Sequence, residues 1–148
     1  MKKLLLLLTL FSLKSFAQGE DEAVKKPISA LFDGMRKSDT TLMRSAFAPG
    51  ASLQSIGKNK EGKVGVRTEN IDKFIESIGK PHPDVYDERI TYETIKVDDN
   101  LAVVWTPYQF YVGDKFSHCG VNSFQLVKID GQWKIQYLID TRRKEGCK

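Results

Sequence analysis

The sequence predicts a single α+β domain in which the elements run α-α-β-α-β-β-β-β. Three observations carry this. Apolar residues of the first half recur at helical spacing. Past Arg89 the period drops to two, and the segments become rich in β-branched and aromatic side chains. Three turn signals, Asp98-Asp99-Asn100, Gly113-Asp114 and Asp130-Gly131, divide that second half into four runs.

Residues 1–17 read as an export signal and not as part of the fold. Met1-Lys2-Lys3 precedes an apolar run from Leu4 to Leu13, and Ser15-Phe16-Ala17 places small residues where signal peptidase needs them. The run is about 10 residues, against the roughly 20 that span a bilayer. Gln18 follows, not the Cys of a lipoprotein anchor. Residues 18–148 are then the mature domain, expected to be periplasmic or secreted.

Within that domain Ile28, Leu31, Phe32 and Met35 make one helical stripe, with Pro27 marking a kink or a start in the first turn. Ser38-Asp39 caps a second helix carrying Leu42, Met43, Ala46 and Phe47, and Pro49-Gly50 stops it. Residues 51–56 read as a short strand and Gly57 to Gly65 as a glycine- and lysine-rich turn. Thr68 caps a third helix whose buried face is Ile71, Phe74, Ile75 and Ile78. The meander strands are expected at 89–97, 101–112, 116–129 and 133–142.

Two-residue turns at Gly113-Asp114 and Asp130-Gly131 pair Val112 with Lys115 and Ile129 with Gln132. Counting on from there puts Leu101, Leu126 and Ile135 in one row, then Val103, Phe124 and Tyr137, then Trp105, Asn122 and Ile139. Pro107, Gly120 and Thr141 follow, with Gln109 and His118 beyond. This face grades from aliphatic to aromatic to polar, as a sheet does where it opens into a pocket. Pro107, which lacks an N–H, is expected to mark a bulge that turns Tyr108 or Phe110 inward. The other face then holds Val104, Thr106, Val121, Ser123, Val127, Leu138 and Asp140. It is too apolar to be wholly solvated, and points to a homodimer.

The chain has 23 basic and 19 acidic side chains, a net charge of +4. Loss of Lys2, Lys3 and Lys14 with the signal leaves 20 against 19, so no nucleic-acid partner is expected. No later segment is long and apolar enough to span a membrane. Gly57-Lys58-Asn59-Lys60-Glu61-Gly62-Lys63-Val64 nearly matches a phosphate loop, but Val64 stands where a hydroxyl must hold magnesium. No cofactor is expected. Cys119 and Cys147 either close a disulfide or remain thiols; two histidines and no close ligand pair leave no metal site expected.

Helices first, then a meander ending in Asp130-Gly131-Gln132-Trp133-Lys134-Ile135, resembles the nuclear transport factor 2-like superfamily. The segment from Phe116 to Leu126, the Asp140-Thr141-Arg142 end, and Phe32-Asp33-Gly34-Met35 are similar to its bacterial branch labelled "putative lumazine-binding". The resemblance implies a cone: a strongly bent, mainly antiparallel sheet wrapped around three N-terminal helices, with a pocket at the open end. It also implies that catalysis, where present, uses a pocket carboxylate or an Asp–His pair.

Trp105 and Tyr108 offer flat stacking surfaces, or plain core packing. Asn122 brings an amide into an apolar row and needs partners there. His118 either meets a ligand or is a structural histidine. These four are the candidate site for a small, partly planar molecule. Asp33 is the candidate carboxylate for a lyase or isomerase that uses His118, since the counted rows put Asp140 on the opposite face. A third reading is a non-catalytic dimeric assembly module. Gln54 and Arg67 are further candidates for the pocket rim.

Overall fold

The computed structural model describes residues 5–147, with side chains from residue 19 onward. The expected signal, residues 1–17, lies outside the residues described in full. The helices are α1 (Leu5–Lys37), α2 (Thr40–Ala46) and α3 (Ile71–Gly79). The strands are β1 (Phe47–Lys58), β2 (Val64–Glu69), β3 (Tyr86–Ile90), β4 (Thr94–Asp98), β5 (Leu101–Val112), β6 (Lys115–Ile129) and β7 (Gln132–Thr141). They form one strongly curved, unclosed sheet in the order β2-β1-β7-β6-β5-β3, with β4 also on β5. Only β1 and β7 pair in parallel.

The helical stripe behaves as its spacing predicts. Val24, Ile28, Leu31, Phe32 and Met35 are buried against Phe124, Leu126, Ile135 and Leu138 of the sheet. Pro27 neither starts nor ends α1, which runs through it. Asp39 caps α2 by accepting from Leu42 N at 2.9 Å. A Cβ at Gly34 would sit 2.6 Å from Met43 Cγ, so this glycine lets α2 lie against α1.

Five local expectations need correction. The α2 helix ends at Ala46, and Pro49-Gly50 lies inside β1. The lysine-rich turn is a hairpin that adds β2; Asn59 Oδ1 accepts from the N–H groups of Glu61 and Lys63 and fixes its tip. Thr68 sits in β2, and Asn70 caps α3. The strand expected at 89–97 is split into β3 and β4. Between them residues 91–93 oppose only Thr106 and Pro107, with Thr91 N donating to Pro107 O at 2.9 Å. The irregularity therefore lies opposite Pro107, in residues 91–93; β5 itself stays in register with β6 through Pro107, so the bulge expected there does not form.

Two bulges elsewhere change the faces. The pairs Val112↔Lys115 and Ile129↔Gln132 form as counted. Ser117 is then an extra residue on β6, so Phe110 faces His118 and Thr106 faces Asn122. Gln136 is extra on β7, so Phe124 faces Leu138 and Asn122 faces Asp140. A one-residue slip moves every later side chain to the other face. Val104, Thr106, Leu138 and Asp140 are consequently buried under the helices, while Trp105 is 45% exposed on the outer face with Leu101 and Val103.

Cys119 and Cys147 are joined as a disulfide, with alpha carbons 5.8 Å apart. Cys119 and Arg143 also exchange backbone hydrogen bonds at 2.9 Å, so the tail after β7 is fastened to β6.

The shifted register makes a measurable distinction between the two tryptophans. Trp133 is 5% exposed. Trp133→Ala should cost about 3–5 kcal/mol and Trp105→Ala under about 1 kcal/mol, read by urea unfolding in dilute solution. Equal or reversed costs would restore the unshifted register.

Candidate functional site

Between the curved sheet, α1 and α3 lies a half-open cavity of about 640 Å³. Its helical wall is mainly apolar, with Leu31, Phe32 and Met35 from α1 and Phe74 and Ile78 from α3, and Lys73 and Ser77 of α3 add polar groups. Its sheet wall is aromatic. Tyr86 meets Phe110 at 6.0 Å, Phe110 meets His118 at 5.0 Å, and His118 meets the edge of Tyr108 at 5.8 Å; His82, in the loop before β3 and outside the cavity lining, stacks on Tyr86 at 4.2 Å.

A polar row crosses the sheet beside these rings. Ser55, Asp140, Asn122 and Thr106 are consecutive partners across β1, β7, β6 and β5, and all four are buried. The next row is apolar: Leu53, Leu138, Phe124 and Val104. Asp140 is the hub. It accepts from Ser55 Oγ, from Tyr108 OH at 3.1 Å and from Arg142 Nε at 2.9 Å. Arg142 also donates to Ser55 Oγ at 3.1 Å, and Tyr108 OH lies 2.9 Å from Thr141 O. Tyr108 reaches β7 only by crossing Gly120, where a Cβ would stand 2.7 Å from its ring and 1.7 Å from Thr141 O. Among the described residues, Thr106 Oγ1 is the one sealed side-chain polar atom without a hydrogen bond.

Glu88, on β3, completes the floor. Asn122 Nδ2 donates to Glu88 Oε1 at 2.7 Å. Burial, reinforced by the Asp140 charge and only partly offset by Asn122 and Arg142, pushes the Glu88 carboxyl up to about 7. Burial first, then the Arg142 charge, holds His118 below the ordinary histidine value, with Asp140 opposing. The imidazole is therefore neutral at pH 7. Burial and Asp140 raise the Tyr108 hydroxyl far above its ordinary value, so it stays a donor.

The cavity thus collects Tyr108, Asn122 and His118 of the expected site residues. It does not collect Trp105, which lies across the sheet, because the Ser117 bulge turns β5 over. Asp33 is absent from the cavity wall and its carboxylate bonds Arg36 Nη2 at 2.5 Å. Asp140, assigned to the outer face by counting, shares the inner face with His118. Gln54 bonds Thr68 and Tyr137, and Arg67 pairs with Glu69; neither lines the cavity. Glu88 was not foreseen, although Tyr86-x-Glu88-x-Ile90 carries a signal: an acid alternating with two apolar residues shares their face. No group of three His, Cys, Asp or Glu side chains suited to a metal ion occurs among the described residues.

A sequence profile described as "putative lumazine-binding" matches residues 19–137. The chain belongs to this family. The matched span includes Glu88, Tyr108, His118 and Asn122 but ends before Asp140 and Arg142. No curated protein sequence matches the chain. Several solved structures share the nuclear transport factor 2-like fold of this family member. One, from Shewanella baltica, is of unknown function; it is 18% identical, covers 86% of this chain and 96% of its own, and has a TM-score of 0.64. Another of unknown function, from Silicibacter pomeroyi, is 15% identical over 86% and 98%, with a TM-score of 0.67. A "putative scytalone dehydratase" from Novosphingobium aromaticivorans is 17% identical over 88% of each chain, with a TM-score of 0.68. At these identities the likeness shows the fold alone.

The Glu88 environment makes stability depend on pH. Its folded value of about 7 lies above the ordinary 4.5, so the folded state binds the proton more tightly than the unfolded state. The stability it contributes is complete below pH 4.5 and is lost as pH rises through 7, to a total of about 3 kcal/mol. Glu88→Gln keeps an acceptor for Asn122 and cannot ionise. It should flatten the unfolding free energy between pH 5 and 8 and stabilise the protein at pH 8. An unchanged pH slope in the variant would place the titration elsewhere.

Proposed function

We propose that this family member is an exported small-molecule-binding protein whose cavity holds a small, partly planar ligand. The observation that supports it most is the pairing of a sizeable aromatic cavity with a buried polar row at its floor. Ligand sites combine apolar walls with a few placed polar groups, and the cavity volume falls within the usual range. The disulfide, and the lack of any described helix long and apolar enough to cross a membrane, are compatible with export.

The test is to purify the protein from its native host's exported fraction and weigh both chain and contents by mass spectrometry. The chain should begin at Gln18 and carry a co-purifying small molecule. Phe110→Ala and Asn122→Leu should each weaken that molecule's binding by roughly tenfold or more, through lost ring contact and a lost polar partner. Trp105→Ala should leave it within about twofold, as a change on the opposite face. A retained Met1, or equal effects from all three variants, would count against export or against the site.

A second reading has its own observation. Glu88 holds a proton exchangeable near neutral pH and faces the cavity, as a general acid or base must. A lyase or isomerase using Glu88, in place of His118 with Asp33, would lose turnover in Glu88→Gln while a pure binding protein shows none to lose.

We also infer a homodimer through the outer sheet face, now with Leu101, Val103 and Trp105 as its exposed apolar residues. Sedimentation at micromolar concentration should show a dimer that Trp105→Glu dissociates; a wild-type monomer would remove the inference.

A further inference from the structure

At the cavity floor, two acceptors that no described residue donates to belong to one bonded pair. Asp140 is engaged at both oxygens, by Ser55 on one and by Tyr108 and Arg142 on the other. Tyr108 directs its proton to Asp140 and Thr141 O, and Arg142 is turned to Asp140 and Ser55. The Glu88–Asn122 pair differs. Its single internal bond runs from Asn122 Nδ2 to Glu88 Oε1, and no other described residue bonds either side chain. With Glu88 ionised, this leaves Glu88 Oε2 and Asn122 Oδ1 as acceptors without donors, beside one unused N–H of Asn122 Nδ2. Neither acceptor is among the sealed, unbonded side-chain atoms of the described residues, of which Thr106 Oγ1 is the one instance, and both residues line the cavity. Asn122 is nonetheless 3% exposed, so bulk water is not its ready partner. Glu69, Glu88 and Asp140 line the cavity with Lys73 and Arg142, and Arg142, the cation at the floor, is already turned to Asp140 and Ser55.

We propose that the floor receives the donor edge of a nitrogen base, an amidine- or aminopyrimidine-type group whose adjacent N–H bonds meet Glu88 Oε2 and Asn122 Oδ1. This rests on the binding reading above and names its ligand class. Paired N–H donors on a planar group match two acceptors held in one bonded pair, and a cation makes such bonds charge-assisted. The ring bearing that group lies against Phe110, His118 and Tyr86, which supply its stacking wall. An anionic ligand would meet the unpaired Glu88 carboxylate instead and be repelled.

Benzamidine is the direct probe, with benzamide and benzoate as planar comparators of the same size. Titrated at pH 7.5 by NMR, benzamidine should bind at least tenfold tighter than benzamide, with benzoate weakest, and should shift the Phe110 and His118 ring signals. Glu88→Gln, checked by its own thermal melt, should lose at least tenfold in benzamidine affinity while benzamide stays within about threefold. Benzamide or benzoate binding as tightly as benzamidine, or an unaffected Glu88→Gln, overturns the ligand class and leaves the cavity reading standing. If no planar probe and no co-purifying molecule moves those signals, the cavity reading falls as well.

Discussion

A carboxylate buried in a sheet is tolerated only when its charge is surrounded by donors, and the arrangement around Asp140 follows from that requirement. Its donors come from three directions: Ser55 on β1, Tyr108 on β5 and Arg142 at the end of β7. Two of them impose a further condition. Tyr108 must pass over β6, which demands a residue without a side chain at Gly120. Arg142 must stay beside Asp140 although it follows the last strand, and the tail is held there by the Cys119–Arg143 bridge and the Cys119–Cys147 disulfide. A cross-link of this loop length stabilises by about 3 kcal/mol in the chain-entropy picture. Here it also keeps a cation in place beside a buried acid.

The bulges are the second condition. With unbroken two-residue hairpins, Asp140 and Thr106 would face solvent and Trp105 would fill the cavity. One extra residue at Ser117 and one at Gln136 invert the faces of β5 and β7 relative to the hairpin turns. Together with the break opposite Pro107 they also bend the strands, as bulges do. The sheet's curvature and its polar row thus share a cause: the residues that bend it determine which side chains look inward.

This explains which parts of the structure were legible in the sequence. Helix stripes such as Ile28, Leu31, Phe32 and Met35 declare themselves by period, and Gly113-Asp114 and Asp130-Gly131 declare the turns. The fold class, the cone and the Cys119–Cys147 pairing all follow from features of that kind, local or carried by resemblance. Bulges leave no such mark. Nothing in Phe116-Ser117-His118 distinguishes a residue that pairs from one that does not, yet it decides the faces of ten residues of β5. His118 and Asn122 survive as cavity residues because they lie on β6, and Tyr108 faces inward because the Ser117 bulge, not one at Pro107, turns β5 over. Trp105 and Asp140 exchange faces because their assignment rested on counting across the bulges. The hairpin of β2 was hidden because lysines and glycines suit a turn as well as an exposed edge strand.

Glu88 is the group that the fold itself does not complete. Asp140 has a full set of donors, and its neighbours gain order from providing them. Glu88 has one amide donor, from Asn122, and its ionised form opposes folding as pH rises through 7. A glutamine there would serve the core better, since it keeps the bond to Asn122 without a charge. A side chain whose ionisation weakens the protein, set at the floor of a cavity with its second oxygen unengaged, has its missing partner outside the chain. That missing partner must bring donors, and the aromatic wall beside it favours a flat one. The cavity's volume, its ring-lined side and the incompletely bonded floor therefore converge on one requirement, which Asp140 and its network hold in shape without themselves meeting it.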